Sequence, residues 1–359
     1  MLQTTHGNLL LANADAIVNT VNTVGVMGKG IALQFRKYFP ENTAAYEHAC
    51  KKGEVKIGQM FVFDRHAAGA FDGPRYIINF PTKKHWRQPS RLEYIDSGLT
   101  DLIRAVRELK ISSIALPPLG CGNGGLEWTD VYTRIEAAAA ILSNVRWLVY
   151  EPSGTPEAAT MPNRTHRPNM TRSAAIIIEL IDRYLVPGFD YPISLLEIQK
   201  LVYFQKEAGE SLERITFRPL HYGPYSENVA HILSRLDGHY TSGYGDGQNK
   251  PDTPITLLPG AFEEAAKALK NAVAVRERSK RVSELIEGYE DPYGMELLST
   301  VHWVATREDP RALENIDAAI AGVRRWSSRK AKLMRDEHIA SAWFRLHDYD
   351  WLKKDLASH

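Results

Sequence analysis

The sequence predicts an α/β N-terminal domain joined to a mainly α C-terminal domain, and three observations carry that expectation. Up to about residue 152, short β-rich apolar runs alternate with helical patterns. A proline-rich stretch follows, and beyond it apolar residues recur at helical spacing. The strands are read at residues 16–19, 60–63, 76–80, 113–116 and 146–150, the later ones as central strands buried on both faces. Between them Leu92, Ile95, Leu99, Leu102, Ile103, Val106 and Leu109 fall on one helix face. Trp128, Val131, Ile135, Ala138, Ala139 and Leu142 fall on another. Strands alternating with helices give a sheet covered on both faces.

Residues 151–169 hold four prolines and almost no periodicity, which reads as a linker. The expected division is 1–152, a linker at 153–169, and a helical domain at 170–359. In that last part Ile176, Ile177, Leu180, Ile181 and Leu185 make one stripe, and Leu195, Ile198, Leu201, Val202 and Gln205 a second. Val229, Ile232, Leu233 and Leu236 make a third, and Leu297, Leu298, Val301 and Val304 a fourth. Asp237-Gly238 and the run Gly243-Tyr244-Gly245-Asp246-Gly247 break the pattern as turns, the second as a short hairpin.

At 359 residues, 44% hydrophobic and 24% charged, the chain suits two globular domains rather than disorder or a fibre. No run approaches the roughly 20 apolar residues of a membrane helix, so no membrane partner is expected. The N-terminus lacks the basic start and apolar run of a secretory signal, and Cys50 and Cys121 are the only cysteines. Both facts point to a reducing, cytoplasmic address. A net charge of +1 argues against a long phosphate-tracking surface. Any action on DNA must then be local, at one modified nucleotide.

Three segments carry chemistry. In the first, Asn19-Thr20-Val21-Asn22 ends a strand, and Gly25-Val26-Met27-Gly28-Lys29-Gly30 leads into a helix at Ile31. Such a loop turns N–H groups toward an anion, the helix dipole adds positive potential, and Asn19 and Asn22 offer neutral amides to hydroxyls. An ordinary surface βα turn fits the same residues. The second, Leu116-Pro117-Pro118-Leu119-Gly120-Cys121-Gly122-Asn123-Gly124-Gly125-Leu126, also lies between a strand and a helix. Gly120, Gly122 and Gly125 match G-x-G-x-x-G, but that dinucleotide fingerprint normally opens its domain and needs an acid about 20 residues on. Two glycine loops after two strands better fit one diphosphate held between them, with a nicotinamide-dependent oxidoreductase the weaker alternative. The third, Phe80-Pro81-Thr82-Lys83-Lys84-His85-Trp86-Arg87, puts Lys83 at a strand's carboxyl end, as a charge partner or, with a depressed pKa, a nucleophile. A solvated basic loop is the plainer reading. No metal-ligand spacing is present and no cofactor is expected.

The order Gly7-Asn8-Leu9-Leu10, then the first glycine loop, then Asn79-Phe80-Pro81-Thr82-Lys83, then the second glycine loop, resembles the macrodomains of the DarG antitoxin family. Its members are paired with DarT-type toxins that ADP-ribosylate DNA. The resemblance spans residues 1–152 and implies a mixed sheet with helices on both faces, ADP-ribose binding and a glycohydrolase that uses a lysine. Carried over, it makes Lys83 the reactive lysine and sets Asn22 against the distal ribose. Asn8, Leu9, Asn19, Thr20, Asn22, the loop Gly25 to Ile31 and the loop Pro118 to Leu126 would line the ADP-ribose. Trp86, Arg87 and Arg91 are candidates for touching DNA, an indole to stack on a base and guanidiniums for phosphates. Two positions depart from the pattern. Asn8 stands where many macrodomains have an aspartate that reads adenine, and Gly124 where lysine-dependent relatives carry an aspartate. The second departure leaves open whether Lys83 is a covalent nucleophile or assists the leaving group while water attacks.

In the C-terminal half, Lys200-Leu201-Val202-Tyr203-Phe204 and Tyr222-Gly223-Pro224-Tyr225-Ser226 resemble the SocA-like (Panacea) antitoxin domain over residues 194–237. That implies neutralising a toxin by binding it. Read as residues alone, at least half of Tyr203, Phe204, Tyr222 and Tyr225 are core. Arg324, Arg325, Arg329, Lys330, Lys332 and Arg335 form a basic stretch, most simply a solvated helix face. The combined expectation is an antitoxin that removes ADP-ribose from single-stranded DNA, releases it free, and separately holds a DarT-like transferase. The alternative is a macrodomain that reads ADP-ribose without cutting it.

Overall fold

The computed structural model of the protein describes residues 1–152, 160–185, 192–247 and 250–353. They divide into two compact units, Met1–His166 with Gly245–Gln248, and Arg167–Tyr244 with Asn249–His359.

The first unit contains β1 (Leu2–Thr5), β2 (Ala16–Asn22), α1 (Gly30–Tyr38), α2 (Pro40–Lys51), β3 (Phe61–Asp64) and β4 (Tyr76–Lys83). It continues with α3 (Leu92–Glu108), β5 (Ser113–Leu116), α4 (Trp128–Ile141) and β6 (Arg146–Tyr150). The six strands form one mixed sheet in the order β1-β6-β5-β2-β4-β3, antiparallel only where β3 meets β4. Successive residues of a strand face opposite sides, and the two cores follow from that alternation. Val18, Ile78 and Ile114 pack with Phe80, Ile95, Leu102 and Ile135 on one face. Ile17, Ile77 and Ala115 pack with Leu10, Phe35 and Phe39 on the other. The expected strands are all present; β1 is the addition. Its Leu-Gln-Thr-Thr has no apolar run and is a strand because it pairs in parallel with β6 over four residues.

Of the expected linker, residues 153–159 lie outside the described residues. Residues 160–166 pack on the first unit instead of running free. The Arg164 N–H donates to the Lys37 carbonyl at 2.8 Å, and its guanidinium pairs with Asp72 at 2.6 Å.

The second unit holds α5 (Arg172–Tyr184), β7 (Ile193–Ser194), α6 (Leu195–Glu207), β8 (Arg218–Leu220), β9 (Gly223–Tyr225), α7 (Glu227–Leu236), β10 (Thr241–Ser242) and β11 (Pro254–Leu257). Helices α8 (Ala261–Ala268), α9 (Val273–Ile286), α10 (Pro292–Trp303), α11 (Ile316–Trp326), α12 (Ser328–Leu333) and α13 (Asp336–Asp348) complete it. The glycine run, expected as turns and a short hairpin, follows β10, which pairs antiparallel with β11. The two motif segments prove to be one buried joint. Lys200 of α6 donates to the Pro224 carbonyl at 2.7 Å, and Gln199 exchanges hydrogen bonds with the Ser226 backbone. Full burial pushes the Lys200 amine down to about 7. Tyr203 and Phe204 are core, as read from sequence. The basic stretch is not wholly a solvated face: Lys330 is fully buried, bonded to Glu296 and Thr300. No helix among the described residues is long and apolar enough to cross a membrane.

One close approach sets the height of α3 over β4. A Cβ on Gly98 would sit 2.2 Å from Cζ of the fully buried Phe80 ring. Gly98→Ala is expected to destabilise the fold by about 1–3 kcal/mol through overpacking, read as a lowered urea midpoint. An unchanged midpoint would show that α3 yields without cost.

Candidate functional site

Parallel strands β2, β4, β5 and β6 present their carboxyl ends along one sheet edge, where ligands of open α/β sheets bind. The pairing of β2 with β4 runs from Ala16 opposite Tyr76 to Asn22 opposite Lys83, with a bulge between Val21 and Asn22. The bulge sets the start of the first glycine loop against the end of β4.

Beneath this edge lies a buried chain of amides. Asn19 donates to Asn79 at 3.0 Å, and Asn79 donates to Asn42 at 2.8 Å. Asn19 is fully buried, so its expected contact with a ribose hydroxyl is corrected: it supports the strand edge from below. Asn22 is turned into its own loop. Its side-chain oxygen accepts from the Val24 and Val26 N–H groups at 3.0 and 3.3 Å, and its amide donates to the Val26 carbonyl at 2.6 Å. The Tyr46 hydroxyl donates to the Asn22 main-chain oxygen, and burial keeps that phenol protonated by raising its pKa. Thr20 lies within β2, opposite Phe80.

Of the remaining first-loop residues, Met27 packs inward while Val26, Gly28 and Lys29 are exposed. The Gly30 N–H opens α1, and Ile31 is half-buried in its first turn. Asn8 caps a short helical turn, its side-chain oxygen accepting from the Leu10 N–H at 3.0 Å, and Leu9 is buried beside it. For Leu9, Met27 and the fully buried Leu119, only the main chain is left to meet a ligand.

Lys83 is half-buried, and its Nζ donates to the Asn123 carbonyl in the second glycine loop. Burial holds its amine below the ordinary lysine range. The loop folds on itself through Cys121 N–H to the Pro118 carbonyl at 3.2 Å, Gly125 N–H to Gly122 at 3.1 Å and Leu126 N–H to Gly120 at 3.1 Å. A Cβ at Gly124 would meet the Gly120 carbonyl oxygen at 2.0 Å and Ser90 Oγ at 2.4 Å. No acid fits there in this backbone. Burial pushes the Cys121 thiol up to about 11, so it is no nucleophile near neutrality.

The rim beyond Lys83 is aromatic and basic. The His85 and Trp86 rings stack 5.3 Å apart, the Arg87 guanidinium lies 4.4 Å from the Trp86 centroid, and Trp86 stays exposed. The Thr23 hydroxyl donates to the Lys84 carbonyl at 2.7 Å, tying this rim to the first loop. Arg91 stands apart at the start of α3, near the Tyr94 ring. Sequence reading missed Thr23, Tyr46, Asn42, Asn79 and Ser90. Only Asn79 carried a signal, an amide inside an otherwise apolar strand.

A family model described as Macro domain matches residues 18–135. A DNA ADP-ribosyl glycohydrolase of Mycobacterium tuberculosis is 48% identical over 352 residues, covering 95% of this chain and 97% of the relative. One of the same name from Thermus aquaticus is 46% identical over 331 residues, covering 92% and 89%. A DNA ADP-ribosyl transferase–DNA ADP-ribosyl glycohydrolase fusion protein of Thermosipho africanus is 36% identical over 142 residues, covering 36% and 37%. With nearly half of its residues identical across almost the full length of both chains, this chain belongs to the DNA ADP-ribosyl glycohydrolase family.

Proposed function

We propose that the first unit hydrolyses the bond between C1'' of ADP-ribose and a base of single-stranded DNA, with Lys83 as nucleophile. We further propose that the second unit holds a DarT-type transferase. The observation that carries the first part is the Lys83 amine, half-buried with a lowered pKa and bridging from β4 to the second glycine loop. The diphosphate would lie along main-chain N–H groups of the two glycine loops, with Asn22 ordering the first. The Lys83 amine attacks C1'' as the bond from C1'' to the base nitrogen breaks. The proton released by the new ammonium goes to the departing base. Water then hydrolyses the lysine adduct, through its ring-opened imine, to free ADP-ribose and lysine. The closed backbone at Gly124 supports leaving this work to the amine without an acid from that position.

The stacked His85, Trp86 and Arg87 support a DNA-facing rim, where an exposed indole meets a base and guanidiniums meet phosphates. A relative that joins transferase and glycohydrolase in one chain supports the toxin as partner. The proposed compartment is the cytoplasm, where Cys50 and Cys121 stay reduced thiols.

Release of ADP-ribose from a modified oligonucleotide, followed across pH, tests the chemistry. Lys83→Ala is expected to lose at least about a hundredfold in kcat. In the wild type the rate is expected to rise with pH through the lowered Lys83 pKa and then level, because the neutral amine is the nucleophile. A rate that falls through the same range makes Lys83 a proton donor. Binding without release by either protein makes the domain a reader. Trp86→Ala is expected to raise KM for modified DNA about tenfold while leaving the affinity for free ADP-ribose unchanged. An unchanged KM removes Trp86 from the DNA surface.

A further inference from the structure

The glycine run at residues 243–247 sits within the helical half of the sequence, yet residues 245–247 belong to the first unit. There the Asp246 carbonyl accepts from the Gly30 N–H at 2.7 Å, and the Gly245 carbonyl accepts from Lys37 Nζ at 2.8 Å. Gly247 has a φ of +73°, and a Cβ on it would sit 3.1 Å from the Gly28 carbonyl oxygen and 3.3 Å from Leu33 Cδ2. Gly245, Asp246 and Gly247 are all buried. The turn therefore lies against the last residues of the first glycine loop and along two turns of α1.

The manner of capping matters. A helix begins with N–H groups that need acceptors, usually supplied by a Ser, Thr, Asp or Asn side chain. Helix α1 has no side-chain cap at Lys29 and no acid in its first turn. A main-chain carbonyl, that of Asp246, takes the Gly30 N–H instead. Gly28 and Lys29, on the same loop, remain exposed. An anion can approach them while the turn fixes the loop from behind.

We infer that the Gly245–Gly247 turn is a positioning element of the ADP-ribose site, clamping the end of the first glycine loop so that its N–H groups are set for the diphosphate. The inference rests on the reading of that loop as the diphosphate loop, and it draws a segment of the helical half's sequence into the site. Gly247 is glycine because any side chain would push the loop at Gly28, at a φ that other residues rarely adopt.

Calorimetric titration of full-length protein with ADP-ribose, alongside steady-state kinetics, tests this. Gly247→Ala and Lys37→Met are each expected to weaken ADP-ribose binding, by about tenfold and about threefold, with KM raised in step and kcat kept within about twofold. Lys37→Arg, which keeps a donor, is expected to recover most of the loss. A structural role alone would lower the melting temperature and leave affinity unmoved. Wild-type affinity in either folded variant overturns the inference. Gly25→Val, within the first loop itself, serves as the control. If it abolishes binding while the Gly247 and Lys37 variants bind normally, the loop reading stands and the inference falls. If the wild type fails to bind ADP-ribose, both fall.

Discussion

The site depends on the parallel pairing of β2 with β4 and on the bulge that ends it. Regular pairing carries Ala16 to Val21 alongside Tyr76 to Pro81; the bulge then brings Asn22 opposite Lys83. Neighbouring strands lie about 4.8 Å apart, so this register puts the residue that orders the first loop beside the candidate nucleophile. The pairing is held from below by amides from three elements, Asn19, Asn79 and Asn42. Buried amides are costly when unpaired, so this chain favours one register over a slipped one.

From that edge the proposed chemistry follows by subtraction. The second glycine loop is wound so tightly that position 124 has no room for a side chain, and its carbonyls become the partners available to Lys83. The nearby thiol is suppressed by burial. The Lys83 amine combines partial burial with a lowered pKa, and the proposed diphosphate would meet the main-chain N–H groups of the two glycine loops.

Much of this was legible in the sequence because its signals are local. Alternating apolar runs with helical stripes located five of the six strands of the first unit's sheet and the helices from Leu92 and Trp128. The glycine spacing located both loops, and the strand end located Lys83. What escaped was non-local. Leu2–Thr5 is a strand through its neighbour β6, not its composition. Asn19 looked like a ligand contact because its position at a strand end is visible, while its burial against Asn79 is not. Lys330 looked like part of a solvated face, although its charge is satisfied by Glu296 from a helix earlier in the chain. The glycine run near residue 245 read as a turn, but its packing on α1 joins residues some 200 positions apart, which no periodicity reports.

Trapping the adduct during turnover is the most direct test of the central claim, that the register of β2 and β4 makes Lys83 the nucleophile. Borohydride added to enzyme working on an ADP-ribosylated oligonucleotide would reduce a lysine imine to a stable amine, and peptide mass spectrometry would locate it. The account predicts the added mass of the ADP-ribosyl group plus the two hydrogens of the reduction on the peptide containing Lys83, and none in Lys83→Ala. Full turnover with no adduct on Lys83 would contradict it and assign the attack on C1'' to water.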